Sequence, residues 1–300
     1  MPVIFEVNHL ALRTGLTRRF LGVAINSPEH LYRSFSLQKK LGGSRNITAP
    51  YPSLLHAQKW IKRSILEKIP VSSASTAYGK GCSVRKNAQQ HSGENVVLCM
   101  DLENFFPSIQ KEKVIKVFRS LGYSSKISYY LASICCYEKA LPQGAPTSPD
   151  LSNVICRSLD NRLLGLSEKS GLNYTRYADD LCFSGTAIPN SLVSKIKNII
   201  SDTGFAVNNK KTRKMVSANR KVVTGINVVS HNLSLSKSYK KEIEKEVYYI
   251  KKFGLHSHLR KRKIRDPAYL NRLIGKAQYW HNIESWNTRS RNILNYLIAF

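Results

Sequence analysis

Apolar residues follow two rhythms along this chain. Val96-Val97-Leu98-Cys99-Met100 is an unbroken apolar run of strand length, as in a buried strand, and it ends at Asp101. Elsewhere the spacing is helical. Leu54, Ala57, Ile61 and Ile65 recur every three to four residues and predict a helix over 53–69 with Ser53 as its N-cap. Further helices are expected over 112–121, 126–135, from the turn at 142–149 to about 166, over 192–200, and from Tyr239 to the end. Residues 3–36 read as short helices and 36–52 as a basic turn or hairpin broken by Gly42-Gly43. Residues 72–93 read as an extended basic loop. Short strands are expected at 205–207 and 221–229.

The runs Leu172-Asn173-Tyr174-Thr175-Arg176 and Leu181-Cys182-Phe183-Ser184 flank Tyr177-Ala178-Asp179-Asp180, which predicts a β-hairpin with two carboxylates at its tip. Asp-Asp pairs are common in exposed turns, because Asp hydrogen-bonds its own backbone there. The second acidic context changes the weight of this pair. A buried strand that delivers Asp101, together with an acidic hairpin, can gather three carboxylates around two divalent ions. Such ions, roughly 3.5–4 Å apart, clamp the attacking and leaving oxygens of a phosphoryl displacement.

Charge points to a polyanionic partner. Against 47 Lys+Arg stand 19 Asp+Glu, a formal net charge of +28. From Lys210 onward basic residues outnumber acidic ones by 21 to 5, interleaved with aromatics such as Tyr248, Tyr249, Phe253, Tyr279 and Trp286. Rings beside cations suit stacking on bases next to phosphates, although many of them must be core. The 300 residues, 42% hydrophobic, suffice for two or three packed subdomains. Six cysteines without a C-x-x-C pair suggest neither a zinc site nor a disulfide framework. No apolar segment is long enough to span a bilayer and no signal-peptide h-region is visible, so a cytoplasmic protein with no membrane association is expected.

Four segments in order carry a resemblance. They are Asp101-x-x-x-x-Phe106, Leu141-Pro142-Gln143-Gly144, Tyr177-Ala178-Asp179-Asp180, and Gly204-Phe205-Ala206-Val207-Asn208-Asn209-Lys210-Lys211-Thr212. Together they resemble reverse transcriptases over about residues 45–230, and the basic helical tail resembles the thumb. Asn87-Ala88-Gln89-Gln90-His91, Val223-Thr224-Gly225 and Gln143-Gly144-Ala145-Pro146-Thr147-Ser148-Pro149 resemble elements of the retron branch. The resemblance implies an α+β right-hand polymerase fold: N-terminal helices and fingers over 1–95, a palm with an antiparallel sheet over 96–230 (a fingers insertion at about 111–140), and a helical thumb over 231–300.

The resemblance also implies roles. Asp101, Asp179 and Asp180 would be catalytic and would bind two Mg²⁺, with Mn²⁺ a possible substitute and the Leu102 backbone carbonyl a further ligand. Phe106 would be the steric gate that favours dNTPs over NTPs. Gln143 and Gly144 would shape the floor under the incoming base pair. Lys211, with Lys210 as a competitor, would meet the triphosphate, as would Arg45 and the backbone of Asn104. Asn87 and His91 would contact RNA, and Val223, Thr224 and Gly225 the primer, where Gly permits close backbone approach. The implied partners are dNTPs, a cognate retron non-coding RNA (msr-msd) primed from a guanosine 2′-OH, and its branched msDNA product. A separate effector protein in anti-phage defence and a host RNase H complete the expectation. Three other readings stay open: another bacterial reverse transcriptase of the group II intron or diversity-generating type, a non-catalytic RNA-binding scaffold, and an RNA-dependent RNA polymerase. The missing maturase or endonuclease extension and the two retron-like elements weigh against the first. The complete set of three carboxylates weighs against the second, and Phe106 against the third.

Overall fold

A computed structural model describes residues 1–38, 42–216 and 220–300. Two short helices, α1 (Val7–Thr14) and α2 (Arg18–Asn26), lead into an antiparallel hairpin of β1 (Tyr32–Gln38) and β2 (Ser44–Pro50). Then come α3 (Pro52–Ser64), α4 (Val84–Gln89), β3 (Val96–Asp101), α5 (Lys111–Ser120), α6 (Ser125–Cys135), α7 (Ser148–Ile155) and α8 (Arg157–Lys169). The acidic hairpin is β4 (Asn173–Tyr177) and β5 (Asp180–Gly185). After α9 (Asn190–Asp202) come β6 (Arg213–Met215), β7 (Val222–Val223) and β8 (Ile226–Asn227). Four helices close the chain: α10 (Lys237–Phe253), α11 (Leu255–Lys261), α12 (Tyr269–Ile283) and α13 (Thr288–Ile298).

The central sheet has the order β4-β5-β3-β6, antiparallel throughout. Strand β3 explains its own unbroken apolar run, because every residue of it is buried. Successive side chains of a strand point to opposite faces. Val96, Leu98 and Met100 join a core under α5–α9, while Val97 and Cys99 join a second core built mainly by α10, α12 and α13. Leu181 and Phe183 of β5 go with the first core and Cys182 with the second. The sheet is therefore the shared wall between two hydrophobic layers. Among the described residues no helix is long and apolar enough to cross a membrane.

Several expected elements differ. The segment read as a loop over 72–93 contains α4, capped by the Ser83 hydroxyl on the Lys86 N–H. The helix expected from Ser53 starts at Pro52, and the N-cap position is Tyr51, without a side-chain cap. Proline suits the first helical turn, where its missing N–H is no loss. The chain expected to be helical to residue 36 turns into β1 at Tyr32. At 205–207 only an isolated bridge forms, Leu102 to Val207. The chain turns at Asn208, and the strand that pairs with β3 is β6.

Candidate active site

Strands β3 and β5 pair in a register that sets Asp101 directly opposite Asp180. Tyr177 pairs with Asp180 across the β4–β5 hairpin, so Ala178 and Asp179 form its tip. The tip is tied to β3 by the Leu102 N–H, which donates to the Asp179 carbonyl at 3.0 Å. Ala178 sits in the left-handed region at φ 59°, a conformation that L-residues rarely hold unsupported. Its support is Arg176, fully buried beneath the tip. Arg176 grips Asp160 through two hydrogen bonds of 2.8 Å and donates its remaining N–H groups to Asn153 at 3.1 Å and to the Ala178 carbonyl at 3.2 Å. Tyr174 donates to the same Asp160 at 2.9 Å.

This arrangement crowds negative charge. Burial raises the Asp179 carboxyl above its usual range, and Asp101 adds to the rise. Burial, then Asp179, then Asp101 push Asp180 up to about 6. Neither Asp179 nor Asp180 is in an ion pair among the described residues. Asp101 is: the Lys211 ammonium lies 2.8 Å from each of its oxygens. The Asn208 N–H donates to the Asp101 carbonyl at 2.8 Å and the Lys211 N–H to Asn208 at 3.1 Å, a turn that aims Lys211, not Lys210, at the carboxylate. Among the described residues no three ligating side chains are arranged around one point as a metal would require. The donor set nonetheless fits divalent cations. Two desolvated carboxylates repel each other, and a third is neutralised by an exposed ammonium.

A cavity of about 700 Å³ opens at Asp101 and Asp179, and Asp180 does not line it. Arg45 on β2, Asn104, Phe106, Gln143 and Lys211 all line it together with Asp101, Leu102 and Asp179. Phe105 is core, 5.9 Å from Phe205, while the Phe106 ring lies 5.3 Å from that of Phe105, tilted by 51°, and is half-buried at the cavity wall. Gly144 has φ 141°, and a Cβ there would stand 2.7 Å from the Thr48 carbonyl oxygen. The Thr48 N–H donates to the Gln143 carbonyl at 2.8 Å. The turn at Gln143-Gly144 is thus latched to the strand that carries Arg45.

The expected RNA contacts need correction. The Asn87 and His91 side chains are fully buried and do not reach solvent. Asn87 accepts hydrogen bonds from Thr76 at 2.9 Å and Thr175 at 2.6 Å, and its amide donates to Thr224 at 3.3 Å. His91 lies 2.7 Å from both the Thr175 and the Ser184 hydroxyls. Since Thr175 spends its proton on Asn87, His91 Nε2 donates to Thr175 and Nδ1 accepts from Ser184. These residues brace the acidic hairpin from behind. Asn87 also joins the two retron-like elements physically, through Thr224. Val223 is buried in the second core, and Thr224 and Gly225 have φ 46° and 85° between β7 and β8, the signs of a type I′ turn. A Cβ on Gly225 would meet no protein atom within 4 Å, so within the protein itself this glycine answers to the positive φ of the turn.

Three residues of the site escape the sequence pattern. Arg176 reads as a surface charge, and Asp160 as one polar position of a helix. Tyr78 lies in a segment without periodicity, yet it lines the cavity. Burial and then Asp179 push its hydroxyl up to about 12.

Residues 37–254 match the profile of the family described as reverse transcriptase (RNA-dependent DNA polymerase). The chain is 37% identical over 254 residues to the Retron Ec86 reverse transcriptase of Escherichia coli, covering 83% of this chain and 79% of that protein. It is 31% identical over 280 residues to the Retron Mx162 reverse transcriptase of Myxococcus xanthus, covering 83% of this chain and 57% of that one. In fold it is similar to telomerase from Candida albicans, solved with a fragment of telomeric RNA. The TM-score is 0.50 at 10% identity, over 89% of this chain and 62% of the other, a likeness of fold alone. The polymerase architecture, the profile match and the two bacterial relatives converge: the chain belongs to the reverse transcriptases, in their retron branch.

Proposed function

We propose that this RNA-directed DNA polymerase copies a cognate structured non-coding RNA (msr-msd) into a branched RNA–DNA molecule, msDNA, in a cell that supplies a separate effector for anti-phage defence and an RNase H to trim the template. The observation that carries the catalytic part is the register of Asp101 against Asp180 with Asp179 beside them, Asp101 and Asp179 lining a cavity of about 700 Å³.

Asp101, Asp179, Asp180 and the Leu102 carbonyl would hold two Mg²⁺. Such a pair lowers the pKa of the primer hydroxyl and neutralises the triphosphate and the leaving pyrophosphate. The chain's own residues then do the positioning. Arg45 and Lys211 bring two cations to the cavity wall for the triphosphate, and Asn104 adds its backbone N–H. Gln143 and Gly144 lie under the base pair, on a turn whose geometry β2 enforces. Phe106 presents a planar ring where the sugar would sit and leaves no room for a 2′-OH. The type I′ turn at Thr224-Gly225 supports the primer end, held in place by Asn87.

The test is synthesis itself. RNA that co-purifies with the protein is sequenced and then supplied with dNTPs and Mg²⁺. DNA joined through a guanosine 2′-OH is the expected product. Asp179→Asn removes a charge that a carboxamide cannot replace, so it should abolish synthesis, with RNA affinity and thermal stability retained. Unbranched products from an exogenous primer alone would favour another class of bacterial reverse transcriptase. Loss of RNA binding in Asp179→Asn would undercut the catalytic assignment.

A further inference from the structure

Tyr78 is held in a conformation that its sequence would not choose. Its φ is 68°, and the Gly79 N–H donates to the Ala77 carbonyl at 2.9 Å, closing a γ-turn around it. A γ-turn with positive φ is rare and strained. The segment leading into it is tied down. Upstream, the Thr76 N–H donates to the Arg176 carbonyl at 2.9 Å and the Arg176 N–H to the Ala74 carbonyl at 2.8 Å. The Asn153 amide donates to the Ala77 carbonyl itself at 3.0 Å. Arg176 and Asn153 are the residues that also hold the acidic tip, so one buried network sets both the carboxylates and Tyr78.

The result is a tyrosine ring, 42% exposed, on the partition between two cavities. One is the active-site cavity. The other, of about 430 Å³, is lined by Lys62, Leu66, Lys80 and Asp150 among others. The Tyr78 ring lies 6.4 Å from the Phe106 ring, tilted by 37°. The Phe105 ring lies 5.3 Å from that of Phe106, so Phe106 has one aromatic neighbour in Phe105 and a second in Tyr78.

We infer that Tyr78 is a positioning residue for sugar selection: its ring blocks Phe106 from swinging away, so that Phe106 excludes a 2′-hydroxyl. This rests on the reading of Phe106 as the sugar gate. A gate made of one ring discriminates only as far as the ring stays put. A hydroxyl occupies little space, and a displacement of about 1 Å is enough to matter at a reacting centre. Backbone strain kept at such a place is strain with a use.

The experiment compares kcat/KM for single dNTP and rNTP incorporation on a primed RNA template. Phe106→Ala should collapse the dNTP preference. Tyr78→Phe keeps the ring and should keep the preference. Tyr78→Gly removes the ring and accepts φ 68° without strain, so the protein should fold with an unchanged melting temperature while the preference falls on the order of tenfold. Tyr78→Asn, also tolerant of this φ, serves as a second truncation if the glycine loosens the turn. The double variant Phe106→Ala, Tyr78→Gly should discriminate no worse than Phe106→Ala alone, since both act through one ring. An unchanged preference in Tyr78→Gly and Tyr78→Asn, with Phe106→Ala collapsed, overturns the role of Tyr78 and spares the gate. Multiplying effects in the double variant overturn it too, because Tyr78 would then act on the template side. An unchanged preference in Phe106→Ala overturns the gate and the inference together.

Discussion

Lys211 holds Asp101 with its ammonium 2.8 Å from each carboxylate oxygen, so a cation bound by this carboxylate would have to displace it. The pair is open to solvent, with the Lys211 side chain 58% exposed, so it is weak, of order 0.5–1 kcal/mol. Metal and triphosphate arriving together can therefore separate it. If Asp101 holds metal as proposed, the ammonium and the metal compete for one carboxylate in the free enzyme. Lys211→Gln should bind Mn²⁺ a few-fold more tightly without nucleotide, as read by electron paramagnetic resonance, and yet show a raised KM for dNTP. Mn²⁺ affinity equal to or below that of the parent protein would show that no such competition exists.

The pH dependence of stability has two opposed sources. Burial lowers His91 from 6.5 to about 4. Between those values the unfolded chain takes up a proton that the folded one refuses, so stability present above pH 6.5 is lost as pH falls toward 4, by about 3 kcal/mol at most. Asp180, raised to about 6, does the reverse. Its charged form strains the fold at neutral pH, and protonation relieves that strain as pH falls below 6. In the parent protein the two partly cancel. Asp180→Asn should be more stable than the parent at pH 7.5, by about 1–2 kcal/mol after allowance for its partial exposure, and should lose stability more steeply on acidification. His91→Gln should be weaker at pH 7.5 and flatter with pH. Urea titrations at four pH values between 4 and 7.5 read all three curves. Parallel curves for Asp180→Asn and the parent would contradict the carboxylate's strained state.

Arg176 and Asp160 form an ion pair with both side chains fully buried. Removing one partner leaves a buried charge without compensation, which costs about 3–5 kcal/mol. Asp160→Ala should therefore destabilise strongly, and it should release the Ala178 carbonyl that Arg176 holds at 3.2 Å. Synthesis should fall more than the folded fraction does, because the tip carrying Asp179 is no longer fixed. Activity that tracks the folded fraction alone, measured by denaturation and extension on the same samples, would reduce Arg176 to a structural strut.

What the sequence discloses and what it hides follow from the range of the forces involved. The strand into Asp101 and the acidic hairpin are legible because each is local: an apolar run, a turn and a charge that interrupts them. Even the meeting of Asp101 with Asp180 follows once both strands lie in one sheet. The hydrogen-bond network behind the hairpin is not local. Asn87, Thr76, Thr175 and Thr224 are scattered along the chain, and nothing in a polar, aperiodic segment announces that Asn87 and His91 are buried. They read as RNA contacts because the loop's cations and amides suit RNA, though a lone histidine is more often packed, and they serve instead as braces. Arg176 hides for the same reason, since a charged strand residue reads as solvated unless its partner Asp160 is known. Side-chain type does not separate Phe105 from Phe106: the resemblance picks Phe106 by its spacing from Asp101, and the packing against Phe205 puts Phe105 in the core.

Gly144 joins the turn proposed as the nucleotide floor to the strand carrying Arg45, and its substitution tests whether that junction matters to catalysis. At φ 141° an L side chain is strained, and a Cβ would stand 2.7 Å from the Thr48 carbonyl oxygen, a backbone atom that cannot swing aside. Gly144→Ala must therefore either shift the turn or push β2 away and stretch the 2.8 Å bond from Thr48 to Gln143. Either response moves Arg45 relative to Gln143. The cost in stability should be of order 1–3 kcal/mol. The sharper signature is kinetic. KM for dNTP should rise on the order of tenfold or more, because the floor and the Arg45 wall no longer fit one nucleotide, while the affinity for RNA stays as it was. If Gly144→Ala loses stability but keeps its KM, the junction is structural and Arg45 does not depend on it to meet the triphosphate.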